Sequence, residues 1–338
     1  MSVNIIGDAP SIKRLETGLY SFDRAFENQK GDIGFPLGKG LEVFGPTNCG
    51  KSTIVYGLSG LIASAQERYI ALADLEGFDP DFLVTVLENS GYSGDVQYIQ
   101  RDDDEEVLDE LVSVLRNPSG KYVVGVLDSI GAISPISEQE GAIGEANMGR
   151  RAKILAQFTR KCLKILRNPD APTIFMINHA YPRIGGKGVE TPGGEVKKYL
   201  ASMRVQVKRK YYKGKYEEFP DGSYIIEGLV VKNRWGYKDR NFWLFVLAGK
   251  GIHKGLTAMY DGIQLGLVDR KRVISIGENK FGYLKDVVEK AQEGDDEFFE
   301  PFFEVLRNQE QNNEEVDEEQ DVETEEEVDE NSEEDTTE

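Results

Sequence analysis

Short apolar runs alternate with amphipathic segments along the first half of the chain. GLEVFGP at 40–46 reads as a buried strand running into glycine, and KSTIVYGLSGLIASAQ as the helix after it. YIALADLE at 69–76 is the next strand, and DPDFLVTVLENSG a helix opened by an Asp-Pro start signal. DVQYIQ, DEEVLDELVSVLRN and KYVVGVLDS repeat strand, helix, strand. Apolar strands separated by amphipathic helices predict an α/β fold with a mostly parallel sheet covered on both faces.

After Ser129 the periodicity stops for IGAISPISEQEGAIGEANMG, a connection long enough to be functional. The helix from Gly149 to Arg167 places Ile154, Phe158, Cys162 and Ile165 on one side, and Lys153, Arg160, Lys164 and Arg167 on another. The apolar run Ile174–Ile177 ends on Asn178 and His179, then gives way to a loop of glycine, lysine and proline. MRVQVKRKYY, SYIIEGLVVKN and RNFWLFVLAG follow with short links and read as an antiparallel extension of the sheet. The expected organisation is a leader and lead-in segment (1–35), a core (36–250), a small C-terminal α/β unit (251–307) and an acidic tail (308–338).

Charge changes this picture in two places. The net charge of −20 is concentrated at the end: residues 310–338 hold 17 acidic side chains and no Lys or Arg, leaving 43 acids and 40 bases elsewhere. Such a self-repelling tail, poor in apolar residues, is expected to be disordered. Within the nearly neutral body, residues 150–167 carry seven Lys/Arg and no acid, and residues 181–215 carry ten against two Glu. Charge alone is satisfied either by a polyanion site on one face or by an ordinary solvated surface. No run approaches the roughly 18 apolar residues of a bilayer span, and the N-terminus lacks a signal-peptide pattern. Two cysteines, Cys49 and Cys162, give no disulfide framework. A cytoplasmic protein is expected.

Gly45-Pro46-Thr47-Asn48-Cys49-Gly50-Lys51-Ser52, followed by Thr53, fits the phosphate-binding loop G-x-x-x-x-G-K-[ST] between a predicted strand and helix. Its backbone amides and the helix N-terminus suit phosphate oxygens; Lys51 suits the β/γ-phosphates and the Ser52 hydroxyl Mg²⁺. Asp128 ends an apolar strand and is the second candidate for Mg²⁺. Glu76, at the end of YIALADLE, is the candidate for orienting the attacking water, with Asp74 as its rival two residues earlier. His179 ends a strand of the same sheet, so it can face the γ-phosphate while the loop beyond it faces another ligand.

Taken together in order, these segments resemble the RecA-type recombinases. LETGLYSFDRAF…GFPLGKGLEVFGPTNCGKST, ALADLEGFDPDF, LDSIGAISP…EQEGAIGEANMGRRAKILAQFTRK, INHAYPRIGG…TPGGEVKKYLASMR and VVKNRWGYKDRNFWLFVLAGKGI match that family's motifs from about Leu15 to Val268. The resemblance implies a RecA-like P-loop core using ATP and Mg²⁺. It implies Glu76 as the water-activating residue and Asp79 and Phe82 at the adenine. Lys232 and Arg234 would reach the neighbouring subunit's nucleotide.

The basic helix and the two loops would be DNA-binding. The candidates are Arg151, Lys153, Arg160, Arg183, Gly185, Gly186, Lys187, Gly193, Gly194 and Lys198. The implied partners are single-stranded DNA, homologous duplex DNA, further copies in a helical filament, and single-strand-binding and loader proteins. The implied activity is DNA-dependent ATP hydrolysis with strand exchange; a mediator without strand exchange and a nucleotide-gated structural filament are the alternatives. His179 stands where bacterial members have glutamine, which is similar to the bacteriophage recombinases. The second loop lacks an aromatic between Gly185 and Thr191, and the leader before Leu15 is short.

Overall fold

The computed structural model describes residues 12–116, 122–135, 149–168, 170–183, 188–194, 197–210 and 222–311. The N-terminal leader to residue 11, most of the connection after Ser129 (136–148), Gly185, Gly186 and Lys187 of the second loop, and the acidic tail from 312 lie outside these residues. The chain divides into two compact units, the second beginning at Gly255.

The first unit opens with β1 (Arg14–Leu15), α1 (Tyr20–Ala25) and β2 (Phe35–Pro36), the two strands pairing with each other. Then follow β3 (Gly40–Gly45), α2 (Lys51–Ala65), β4 (Tyr69–Asp74), α3 (Pro80–Asn89), β5 (Val96–Ile99), α4 (Asp104–Leu115), β6 (Tyr122–Asp128), α5 (Arg150–Ile165) and β7 (Thr173–His179). A short ladder, β8 (Tyr181–Pro182) with β9 (Val189–Glu190), precedes α6 (Lys197–Leu200). The strands β10 (Ala201–Lys210), β11 (Tyr224–Asn233), β12 (Arg240–Leu247) and β13 (Gly251–Ile252) complete the unit.

Among the described residues, nine strands form one sheet in the order β13-β12-β11-β10-β3-β7-β6-β4-β5. From β10 to β5 the pairs are parallel, and from β10 to β13 they are antiparallel, so β10 is the hinge between the two halves. Alternation along β7 shows how both faces are covered. Phe175 and Ile177 pack with Ile54, Leu58 and Val86 of α2 and α3, while Ile174 and Met176 pack with Leu111, Leu155 and Cys162 of α4 and α5. Period-2 side chains on a strand buried on both faces give this arrangement.

Two details differ from the sequence expectation. β4 ends at Asp74 instead of continuing through Glu76: the Leu75 amide makes the last ladder bond, to the Asp128 carbonyl at 2.7 Å, and the Glu76, Gly77 and Phe78 amides then turn back onto the Asp74 carboxylate. On α5 the buried stripe is Leu155, Phe158, Thr159, Cys162 and Ile165, with Ile154 half-buried at its edge. The basic side chains Lys153, Arg160, Lys164 and Arg167 are exposed.

The second unit completes α7 (Lys254–Gln264) and adds β14 (Asp269–Arg270), β15 (Ile274–Ile276), β16 (Asn279–Gly282) and α8 (Leu284–Glu293), its three strands forming an antiparallel sheet. Residues 300–311 are helical, so the first four residues assigned to the tail continue a helix whose Phe302 and Leu306 are buried. Among the described residues no helix is long and apolar enough to cross a membrane.

Candidate functional site

The phosphate-binding loop turns from β3 into α2 under tight backbone constraint. A Cβ on Gly45 would lie 2.3 Å from the Val207 carbonyl oxygen, so the first glycine is required by the neighbouring strand. Gly50 has φ +91°, and a Cβ there would meet Ile226 Cδ1 at 2.6 Å. Asn48 is left-handed as well, with φ 57°. Gly50 caps α2, whose first turn holds no acid, so the positive end of the helix opens onto the loop. Lys51 is buried and its ammonium donates to the Pro46 carbonyl at 2.8 Å.

Thr47 through Thr53 line a cleft of about 420 Å³ together with Glu76, Asp128, Ile177, His179, Arg209 and Tyr224. At its floor the Ser52 and Tyr56 hydroxyls donate to Asp128 Oδ2 at 3.0 and 2.9 Å. Burial raises the Asp128 carboxyl to about 6, against the lowering effect of these two hydroxyls. The Tyr56 hydroxyl is pushed up by burial and by the adjacent carboxylate. Ser52 and Asp128 thus form an all-oxygen pair, the donor chemistry of a small hard divalent cation that takes its other ligands from phosphate and water.

The two rival carboxylates part company here. Asp74 is buried; its Oδ1 accepts the Glu76 and Gly77 amides at 3.1 and 2.9 Å, and its Oδ2 the Phe78 amide at 3.2 Å and the Tyr98 hydroxyl at 3.1 Å. It closes the turn after β4. Glu76 faces the cleft instead, where Oε1 lies 3.0 Å from His179 Nε2 and accepts the Ser129 hydroxyl.

The other expected residues are spread over the first unit. Asp79 N-caps α3, accepting the Asp81 amide at 3.0 Å, and Phe82 stands partly exposed with its ring 6.4 Å from Tyr56; neither lines the cleft. Lys232 donates to the Ala201 carbonyl at 2.7 Å and to the Lys198 carbonyl. Ala201 pairs with Gly40 at the amino end of β3, and the Arg234 amide donates to Ser202 O at 3.2 Å. Lys232 and Arg234 therefore occupy the end of the sheet opposite the phosphate-binding loop of their own chain.

The nucleic-acid candidates gather around α5 and the second loop. Arg151 reaches towards the Gly131 carbonyl at 3.5 Å, and Arg183 Nε pairs with Glu190 Oε1 at 3.1 Å across the β8–β9 ladder. Gly193, at φ +94°, packs so closely that a Cβ would lie 3.0 Å from both Ile130 and Leu155; Gly194 has φ +65° with open space around it. Gly193 thereby joins the second loop to α5 and to the start of the first connection. Lys198 is half-buried on α6.

Several residues here had escaped the sequence reading. Tyr56 lies one helical turn after Ser52, so its shared face was legible. Arg209 and Tyr224, whose guanidinium and ring stack at 3.9 Å, come from the paired strands β10 and β11, far along the chain from the phosphate-binding loop, and the Tyr224 hydroxyl lies 3.3 Å from Thr53 Oγ1. No local pattern announces that pair.

Residues 2–253 match the family model described as the RecA N-terminal domain. Over 302 residues the chain is 31% identical to Protein RecA of a Nitratiruptor species, spanning 85% of this chain and 83% of that one. It is 29% identical to Protein RecA of Campylobacter jejuni subsp. jejuni, with 85% and 84% covered. A solved structure, the RadB recombinase, superposes with a TM-score of 0.51 at 19% identity, over 70% of this chain and 98% of the other, and shares its fold. The phosphate-binding loop, the Ser52–Asp128 pair and the extent of these matches agree: the chain belongs to the RecA family of P-loop, DNA-dependent ATPases.

Proposed function

We propose that this chain is an ATP-dependent recombinase that assembles as a helical filament on single-stranded DNA and pairs it with homologous duplex DNA. The observation that carries this reading is the join at His179. One ring contacts the carboxylate of Glu76 in the phosphate cleft, and the backbone two residues later enters the loop packed on the basic helix α5. A change at the γ-phosphate and a change in the loop then share one residue.

In this reading the loop amides and Lys51 hold the phosphates. Ser52 and Asp128 hold Mg²⁺, which supplies neutralisation of phosphate charge when bound. Glu76 orients and deprotonates the attacking water through the oxygen left free by His179 and Ser129. Asp79 and Phe82 take the adenine side.

Lys232 and Arg234, displaced from their own chain's cleft, act on the nucleotide of the next subunit. Charge developing on the γ-phosphate is then stabilised fully only between stacked copies. Arg151, Lys153, Arg160, Arg183, Lys187 and Lys198 hold DNA phosphates, with Gly185, Gly186, Gly193 and Gly194 as a backbone cradle that leaves bases free to pair. Histidine at 179 supports a bacteriophage-type recombinase acting in a bacterial cytoplasm alongside single-strand-binding and loader proteins.

A strand-exchange assay with Lys51→Ala as control tests the proposal. Joint molecules are expected with the parent and ATP, and none with the variant. DNA-stimulated ATP hydrolysis and filaments without joint molecules would move the assignment to a mediator or structural filament.

A further inference from the structure

The second loop leaves β7 beside His179 and returns at α6, where the return is held by charge inside the protein. Lys197 is 1% exposed, yet its ammonium donates to Thr191 Oγ1 at 2.7 Å, to Thr191 O at 2.9 Å and to the Pro192 carbonyl. It also stands 3.3 Å from Glu42 Oε1, a carboxylate on β3 with no exposed surface. Arg204 Nε donates to the other oxygen of Glu42 at 2.6 Å. Asn178 Nδ2 donates to Glu42 Oε1 at 2.7 Å and to Pro192 O at 3.0 Å. Asn178 and Lys197 thus share the same two acceptors, one on the central sheet and one on the loop.

Buried ion pairs contribute little net stability, because desolvation offsets attraction, but losing one partner leaves a charge without compensation. Such a pair is better suited to holding one geometry than to strengthening the fold. Here the geometry lies on a continuous path. Glu76 contacts the His179 ring, the His179 amide donates to Asn178 Oδ1 at 3.0 Å, and Asn178 meets Glu42 and Pro192 beside Lys197.

We infer that Lys197 is a positioning residue that, with Glu42, clamps Thr191 and Pro192 against Asn178, so that the nucleotide state sensed at His179 moves the exit of the second loop. Lys197 touches neither nucleotide nor DNA in this scheme and acts through Asn178 and the loop backbone. The inference rests on the ATP-gated DNA binding proposed above, and adds the part that makes the loop respond as one piece.

The test compares the parent with Lys197→Met, an apolar side chain of similar length that leaves Glu42 paired with Arg204 and Asn178. The Kd for a fluorescent oligothymidylate is measured with a slowly hydrolysed ATP analogue and with ADP, alongside DNA-free ATPase kinetics. The ratio of the two Kd values is expected to shrink at least tenfold in the variant, with KM for ATP and DNA-free kcat within twofold of the parent. Thr191→Val removes one acceptor of the ammonium, an oxygen that Arg204 Nη2 also reaches at 3.2 Å, and is expected to shrink the ratio about threefold; it decides the matter if Lys197→Met does not fold. An unchanged ratio, or an equal loss of affinity in both nucleotide states, would overturn the positioning role while leaving ATP gating intact. A parent whose DNA affinity ignores nucleotide would overturn the functional reading and this inference with it.

Discussion

Two loops leave neighbouring strands at the same height, since Gly45 of β3 pairs with His179 of β7, and they are held by different physics. The phosphate-binding loop is fixed by shape: glycines at 45 and 50 admit the backbone of β10 and the side chains of β11 where no Cβ fits. The second loop is held mainly by polar bonds, the backbone ladder β8–β9, the Asn178 amide and the buried Lys197 ammonium, with Gly193 as its one close-packed glycine among the described residues. Shape restraint ties the first loop to the packing of its neighbours. Charge restraint can be released and remade, which suits a segment that must change when its neighbour's ligand changes.

The largest expected effect tests the shape half of this contrast. Gly45→Ala sets a Cβ against the Val207 carbonyl and is expected to lower stability by about 3 kcal/mol or more in denaturant unfolding. Gly194→Ala meets no neighbour and only the left-handed backbone, so about 1 kcal/mol is expected. Equal losses would break the comparison.

A smaller effect tests the connection between the loops. His179→Ala is expected to keep ATP affinity within twofold, while the gain in single-stranded DNA affinity caused by ATP falls about tenfold, or about 1.4 kcal/mol of coupling. Titrations with and without nucleotide read this directly, and an unaltered gain would remove His179 from the path.

The smallest effect is a slope that sharpens the charge half. Burial lowers the Lys197 ammonium to about 8, with Glu42 opposing the shift and Arg204 and Lys198 adding to it. Its folded value lies below the unfolded 10.5, so the folded state binds fewer protons between about pH 8 and 10.5. This residue's contribution to stability therefore rises with pH across that window. Unfolding of the parent relative to Lys197→Met should show the rise, and parallel profiles would mean that folding does not lower the Lys197 ammonium.

What the sequence disclosed follows the same division. Gly45, Gly50, Lys51 and Ser52 are legible because local backbone chemistry dictates them, and the strand–helix alternation is legible because both faces of the sheet are apolar. Position along the strand leaves Asp74 as a rival to Glu76, and only the family resemblance chooses between them, because the turn in which the Asp74 carboxylate takes up the Glu76, Gly77 and Phe78 amides has no period to read. Lys198 stands as a DNA-binding candidate, and nothing local in the chain distinguishes its neighbour Lys197. Which one is buried depends on Glu42, which the chain brings from far earlier, on β3. The β8–β9 ladder is two residues long on each side, too short for periodicity to reveal.

The two thiols give the molecule an internal clock. Cys49 is a buried residue of the phosphate-binding loop and Cys162 lies on the covered side of α5, both inaccessible in the folded chain. A thiol reagent can label either one only after a local opening, so its rate counts those openings. Cys49 times the restraint by shape, and Cys162 times the helix against which Gly193 anchors the other loop. Labelling each with and without nucleotide would give two independent readings from one unmodified protein.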